Sequence, residues 1–202
     1  MIKTTIEILT AIFVAYLIGS IPTGYIIVKL FKGEDIRKIG SGSTGATNVK
    51  RVMGKKWFFI VMFIDAFKGA LPVILAKMFA TVFVSIGLLP VLCAVAAILG
   101  HSKSIFLNFT GGKSVASGVG TIIALNWHVG LIIAGIWAFV TYLSKYVSLG
   151  SILALAIAPF LMYLYEEPVA YVVYCAIGAF YITFLHRENI KRLIKGQESK
   201  VR

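Results

Sequence analysis

Apolar residues in this chain come in long runs divided by short polar segments. Ile6–Leu30, Trp57–Ala76, Val82–Leu99, Val129–Leu143, Leu149–Tyr165 and Val169–Leu185 are runs of this kind. They approach or exceed the about 20 apolar residues with which a helix crosses a hydrocarbon core. A seventh run, Ser114–Leu125, is shorter and Gly-rich, and spans only if protein neighbours shield it. The pattern predicts an all-α polytopic membrane protein of about seven transmembrane helices. Asn126-Trp127-His128, between the fourth and fifth helices, reads as a tight turn or a kink. No repeat, low-complexity segment or linker divides the chain, so residues 1–202 are expected to form one membrane domain.

Composition narrows the class. The chain is 59% hydrophobic and 14% charged, with a mean hydropathy of +0.91. Soluble domains run near 45–50% apolar and about 25% charged. That excludes a water-soluble globule, a disordered chain and a disulfide-stapled secreted domain. Cys93 and Cys175 lie inside apolar runs without metal-ligand spacing and read as small core residues. The first apolar run extends past the length of a signal-peptide core, so it is expected to stay as a span.

The net charge of +12 would suggest nucleic acid in a soluble protein. In a membrane protein, Lys and Arg gather in cytoplasmic loops instead. With seven crossings and the N-terminus outside, the inner segments hold 17 of the 20 Lys+Arg; the outer side holds only Lys3 and Lys77, and Lys68 lies within a span. The expected localisation is therefore the cell membrane, multi-pass, with the N-terminus outside and the C-terminus cytoplasmic. Membrane lipid is an expected partner and nucleic acid is not.

Three polar stretches fall on that inner face: Gly40–Arg51, Gly100–Gly120 and His186–Leu193. In the first, Gly40, Gly42 and Gly45 permit turns with positive φ, which point successive N–H groups into an anion-binding concavity. Ser41, Ser43, Thr44, Thr47 and Asn48 add hydrogen-bonding groups, and Lys50 and Arg51 add charge. The glycine spacing matches a dinucleotide fingerprint formally, but the strand and the soluble βαβ unit that motif needs are missing. A plain cytoplasmic loop is the competing reading. In the second stretch, Gly111-Gly112-Lys113-Ser114 opens a helix whose N-terminal dipole favours an anion. Leu107 stands where a P-loop needs glycine, so this is not an ATPase loop. Lys113 is a point charge for that anion or a snorkelling lysine. His101, at the end of a span, reads as an interface histidine or a site residue. In the third, if the helix of the last span continues, His186, Asn189 and Leu193 share one face, while Arg187 and Lys191 point elsewhere, toward lipid phosphates.

Asp65 and Lys68 lie i, i+3 inside the second span. Mid-membrane charges cost roughly 2.5–3.5 kcal/mol each on insertion scales, so these two are expected to pair or face the bundle interior. Ser148 and Ser151 follow a short inner turn and either cap the next helix or reach the same polar pocket. No set of side chains supplies water activation. Groups that hold phosphates favour transfer from an already activated donor, for which positioning and charge stabilisation suffice. A transporter of a phosphorylated metabolite is the alternative. It would use the same anion site, but it calls for a polar outer path and inverted repeats, which the sequence lacks.

These three stretches closely resemble the three motifs of the bacterial acyl-phosphate-dependent glycerol-3-phosphate acyltransferases. GATNVKR and HRENIKRL carry most of the resemblance, with Gly19-Ser20, Pro22 and Lys145-Tyr146-Val147-Ser148 in support. It runs from about Tyr16 to Gln197. The resemblance implies a seven-span fold with a cytoplasmic-face active site. It implies acyl transfer from acyl phosphate to the 1-hydroxyl of sn-glycerol 3-phosphate, giving lysophosphatidic acid and phosphate, the first acylation of phospholipid synthesis. It calls for no cofactor, no metal and no acyl carrier protein. Ser41 with Gly40 and Gly42 matches the phosphate-binding serine loop. Arg51 and Lys113 match the basic residues expected on the glycerol-phosphate group, and Gly112 and Asn48 are expected to bind substrate. Ser151, His186 and Asn189 match the remaining polar pocket, with Ser41, His186 and Asn189 expected to act in catalysis. The leaving phosphate can itself take the proton of the attacking hydroxyl. The sequence departs from the family at Ser43-Thr44, where Asn-Pro is usual, at Ser104, usually proline, at Ser114, usually glycine, and at Ser117, usually threonine.

Overall fold

The computed structural model describes residues 2–78 and 87–201, and side chains from Thr5 onward. The start of the expected run Val82–Leu99 lies outside the described residues, as does the side chain of Lys3. Among the described residues there are ten α-helices: α1 Ile2–Ser20, α2 Thr23–Lys32, α3 Ala46–Met53, α4 Lys55–Met78, α5 Leu88–Ser102, α6 Val115–Leu125, α7 Trp127–Ser144, α8 Val147–Leu164, α9 Val169–Leu185 and α10 Arg187–Ile194. Single 3₁₀ turns lie at Ile36–Lys38 and Ile105–Leu107.

Each of the seven apolar runs carries a helix over its described residues. Four runs are long and apolar enough to cross a membrane: Thr5–Lys32, Lys55–Met78, Trp127–Ser144 and Val147–Leu164. The pair Val169–Leu185 and Arg187–Ile194, bent by 62°, makes a fifth if taken as one span. Leu88–Ser102 and Val115–Leu125 are shorter apolar helices. Phe13, Phe63, Phe67, Phe139, Phe160 and Phe180 are all exposed on the helix surfaces, as lipid-facing side chains are.

The described residues form two compact units, residues 1–121 and 122–202, with the boundary inside α6. In the first, α1 packs on α5, and α4 packs on α1, α3 and α5. The contacts are close because the facing residues are small. A Cβ on Gly19 would run into the backbone of Ala97, and one on Gly69 would run into Ser117. An apolar cluster of Ile27, Val28, Ile36, Val49 and Val61 anchors the segment after α2.

Pro22 breaks the first run between α1 and α2, since it offers no N–H to continue the helix. The break would strand carbonyls in a medium where each unsatisfied group costs several kcal/mol. Thr23 N donates to Ile21 O at 3.0 Å, and two side chains complete the set. Ser104 Oγ donates to Ser20 O at 2.6 Å, and Lys68 Nζ donates to Ile21 O at 2.6 Å.

In the second unit, α8 packs between α7 and α9. The segment around Asn126 is a helix break with a cap. Asn126 Oδ1 accepts from Val129 N at 3.0 Å, and its Nδ2 donates to Glu167 Oε1 at 2.7 Å. Cys93 and Cys175 are buried and free, each in its own unit.

Candidate active site

The segment before α3 is ordered on one side chain. Asn48 sits in the first turn of α3 and is buried. Its Oδ1 accepts from Ser41 N at 3.0 Å, and its Nδ2 donates to Ile39 O and Ser43 O at 2.9 Å each. A third carbonyl, Ile36 O, lies 3.3 Å away. Asn48 therefore shapes the loop, and its amide is committed to backbone. Gly40 and Gly42 take φ of 61° and 70°, the left-handed region expected of them. Gly45 instead is extended, with φ −75° and ψ 162°, and caps α3. A Cβ on Gly40 would run into Asn48 Oδ1, so glycine is required there twice over. The same Cβ would come within 3.8 Å of Arg51 Cδ, which lays the Arg51 stem alongside the loop. Ser41 and Arg51 are exposed.

The second stretch is a small hairpin that hands the chain to α6. Ser104 and Thr110 form an isolated antiparallel bridge, with Ser104 N donating to Thr110 O at 3.3 Å. A proline at 104 would lose that bond. Gly112 N then donates to His101 O at 3.1 Å. Lys113 is half-buried, and α6 begins two residues later. Ser114 takes φ 59°, which accounts for the glycine usual at this position. Its Oγ donates to Ile98 O at 3.0 Å. Left-handed backbone costs a non-glycine residue roughly 1–2 kcal/mol, and a hydrogen bond contributes about 0.5–1.5 kcal/mol. The two nearly cancel. Ser114→Gly should therefore leave the unfolding midpoint close to that of the parent. Ser114→Ala keeps the strain and loses the bond, so it should melt several degrees lower. Thermal unfolding of the purified variants checks the order.

Gly42 and Thr44 of the first stretch and Thr110 and Gly111 of the second line one cavity of about 430 Å³, together with Asp35, Arg37 and Lys38. The structure thus brings these two stretches together within the first unit. Asp35 is the orienting group. Its carboxylate accepts from Arg37 Nη2 at 2.7 Å and from Arg37 N at 3.0 Å, and the Arg37 guanidinium holds it well below its ordinary value, at about 2. Sequence reasoning missed Asp35, Arg37 and Lys38. The Asp-x-Arg spacing, in which an aspartate caps a turn and grips the arginine two residues on, is the local signal that marks them.

In the second unit the last span does not run on as one helix: His186 is the cap between α9 and α10, which bend by 62°. His186 and Asn189 are buried, whereas Arg187 and Lys191 are exposed. His186 Nδ1 donates to Ile182 O at 2.8 Å, because a carbonyl can only accept. In the neutral ring this leaves the lone pair on Nε2, the arrangement of a base or an acceptor. Ser151 Oγ donates to Val147 O at 2.8 Å in the first turn of α8.

Glu198 ties the first turn of α8 to α10, and nothing in the sequence pattern singled it out. Its Oε1 accepts from Asn189 Nδ2 at 2.6 Å and from Ser148 Oγ at 2.9 Å, and its Oε2 accepts from Arg192 Nε at 2.7 Å. Nearby, Val201 N donates to Lys145 O at 2.8 Å. Burial pushes the Glu198 carboxyl up, but the bonds from Asn189, Arg192 and Ser148 together outweigh it, so it titrates below its ordinary value. A depressed carboxyl stabilises the fold above its unfolded value, and that contribution is lost as pH falls through the folded one. Glu198→Ala should lower stability by about 1–3 kcal/mol by removing the carboxylate that accepts from Asn189, Ser148 and Arg192. Glu198→Gln should flatten the acid limb of the unfolding midpoint against pH, measured in detergent.

A family model described as glycerol-3-phosphate acyltransferase matches residues 9–196. A glycerol-3-phosphate acyltransferase of Trichormus variabilis is 45% identical over 203 aligned residues, covering 94% of this chain and 90% of its own. Among solved structures, the fold matches PlsY (YgiH), an integral membrane glycerol 3-phosphate acyltransferase, in its glycerol 3-phosphate form. That match has a TM-score of 0.91 and 36% identity, and covers 97% of this chain and 96% of that one. The lysophosphatidic acid form of PlsY matches with a TM-score of 0.88 and 34% identity.

Proposed function

We propose that this chain, which belongs to the glycerol-3-phosphate acyltransferase family, transfers a fatty acyl group from acyl phosphate to the 1-hydroxyl of sn-glycerol 3-phosphate. The products are 1-acyl-sn-glycerol 3-phosphate and inorganic phosphate. The observation that carries the reading is the cavity of about 430 Å³ where the Asn48-ordered glycine loop meets the segment leading into Gly112-Lys113, under a basic rim. Such a hollow suits a phosphate, through loop N–H groups and cations together.

The reaction needs little from the protein beyond placement. The 1-hydroxyl oxygen attacks the acyl carbonyl carbon. The bond from that carbon to the phosphate oxygen breaks, and the hydroxyl proton passes to the departing phosphate. Ser41, with Gly40 and Gly42, is assigned to the acyl phosphate, while Arg51 and Lys113, with Gly112, hold the glycerol-phosphate group. Asn48 serves both by shaping the loop. His186, Asn189 and Ser151 are assigned to the reaction on their match to the family's remaining polar pocket residues. We further propose that residues 1–202 act as one membrane domain with seven crossings. The N-terminus lies outside, the C-terminus and the site at the cytoplasmic face, and the acyl chain enters from the lipid.

The test is direct. Purified protein in detergent, given acyl phosphate and glycerol 3-phosphate, should release phosphate and form the lysolipid. With an acyl thioester as donor, it should not. Folded protein that releases no phosphate above background would refute the assignment; turnover with the thioester alone would replace the donor.

A further inference from the structure

The first unit holds a buried polar cluster that the proposed chemistry does not use. Lys68 Nζ lies 2.8 Å from Asp65 Oδ1, and His101 Nδ1 lies 3.7 Å from the same oxygen. Ser117 Oγ is 3.1 Å from His101 Nδ1. All four residues are almost wholly buried. The other edge of the ring meets the second stretch. A Cβ on Gly112 would run into His101 Nε2, and one on Gly111 would run into His101 O, the carbonyl that accepts the Gly112 N–H. Both glycines thus lie against one histidine, and Lys113 is the next residue.

We propose that His101 is a positioning residue. Held at Nδ1 by Ser117 and backed by the Asp65–Lys68 pair, its ring is the template against which Gly112 is laid, while its carbonyl meets Gly111, and it thereby sets where Lys113 stands. This rests on the assignment of Lys113 to the glycerol-phosphate group. The arrangement is one-sided: Nδ1 faces the support and Nε2 faces the turn. A residue that only filled space or bonded Ser117 would not need its far edge. A residue that positions the turn does, because a misplacement of about 1 Å costs on the order of 100-fold in rate.

The experiment is steady-state kinetics with acyl phosphate and glycerol 3-phosphate, run beside thermal unfolding of each variant. His101→Ala should lower kcat/KM for glycerol 3-phosphate about 100-fold, mainly through KM, in protein that is still folded. Gly112→Ala should do the same, and the double variant should lose no more than either single one, because His101→Ala removes what the new methyl group strikes. The conservative pair gives a readout that a structural role would not move. An Asn at 101 places its amide near the Nδ1 position, and a Gln places it near Nε2. His101→Gln should recover part of the KM loss and His101→Asn should not. An unchanged KM in His101→Ala, equal recovery by Asn and Gln, or additive losses in the double variant would each overturn the proposal. A parent protein without turnover would instead remove the acyl-transfer reading, so the two failures are distinguishable.

Discussion

Lys113→Ala is expected to cut kcat/KM for glycerol 3-phosphate about 100-fold while the protein stays folded. Lys113 is half-buried between Gly112, held by the His101 carbonyl, and Ser114, whose Oγ donates to Ile98 O at 3.0 Å. Both flanking residues are tethered to α5, so the lysine stands on a short, fixed piece of backbone. A hydrogen bond to a charged group contributes about 1.5–3 kcal/mol, and the upper part of that range corresponds to a factor of about 100. The loss should appear mainly in KM if the lysine binds the phosphate equally in ground and transition states. Lys113→Arg should recover only part, since a planar fork does not replace a compact ammonium in a narrow turn. Kinetics with the acceptor varied at saturating acyl phosphate decide it. Unchanged KM and kcat would remove Lys113 from the site.

The features that could be read from sequence were local. Apolar runs predicted helices because an exposed backbone cannot persist in lipid, and each run carries one over its described residues. Gly40 and Gly42 take positive φ because a tight loop beside Asn48 leaves no room for a Cβ. Within α10 the burial of Asn189 beside exposed Arg187 and Lys191 followed from helical spacing, whereas the break at His186 did not. What escaped was carried by contacts between distant positions. Glu198 lies 50 residues from Ser148, in a tail segment, Gly-Gln-Glu-Ser-Lys, with no periodicity. The carbonyls freed by Pro22 are met by Lys68, 47 residues away from Ile21, and by Ser104, 84 residues away from Ser20. Asn48 looked like one hydrogen-bonding residue among several. Only the folded loop reveals that its amide is taken up by the backbone of Ile39, Ser41 and Ser43. Local patterns report periodicity and turn chemistry, whereas the satisfaction of a freed backbone group depends on which distant element comes to rest beside it.

Lys68→Ala should have the largest effect on stability. In the sequence, Asp65 and Lys68 were a pair of charges to be explained; in the structure the lysine does two things at once. It neutralises Asp65 at 2.8 Å and donates to Ile21 O at 2.6 Å, across the break between α1 and α2. Removing it leaves a carboxylate buried without its cation and a carbonyl without that donor. Breaking a buried pair from one side costs about 3–5 kcal/mol, a large part of the 5–15 kcal/mol that holds a typical fold. For a chain of this size, that lowers the unfolding midpoint by about 10 °C or more. Asp65→Leu with Lys68→Met separates the two contributions. Replacing a buried pair by apolar residues is often neutral, so if the ion pair were all that mattered, the double variant would match the parent. The carbonyl of Ile21 would keep its bond from Thr23 N at 3.0 Å but lose the one from the ammonium, and a hydrogen bond to a charged group contributes about 1.5–3 kcal/mol. The double variant should therefore melt between Lys68→Ala and the parent. A midpoint equal to that of the parent would show that the Lys68–Ile21 bond contributes nothing, and one no higher than that of Lys68→Ala would show that the charges were never the source of the loss.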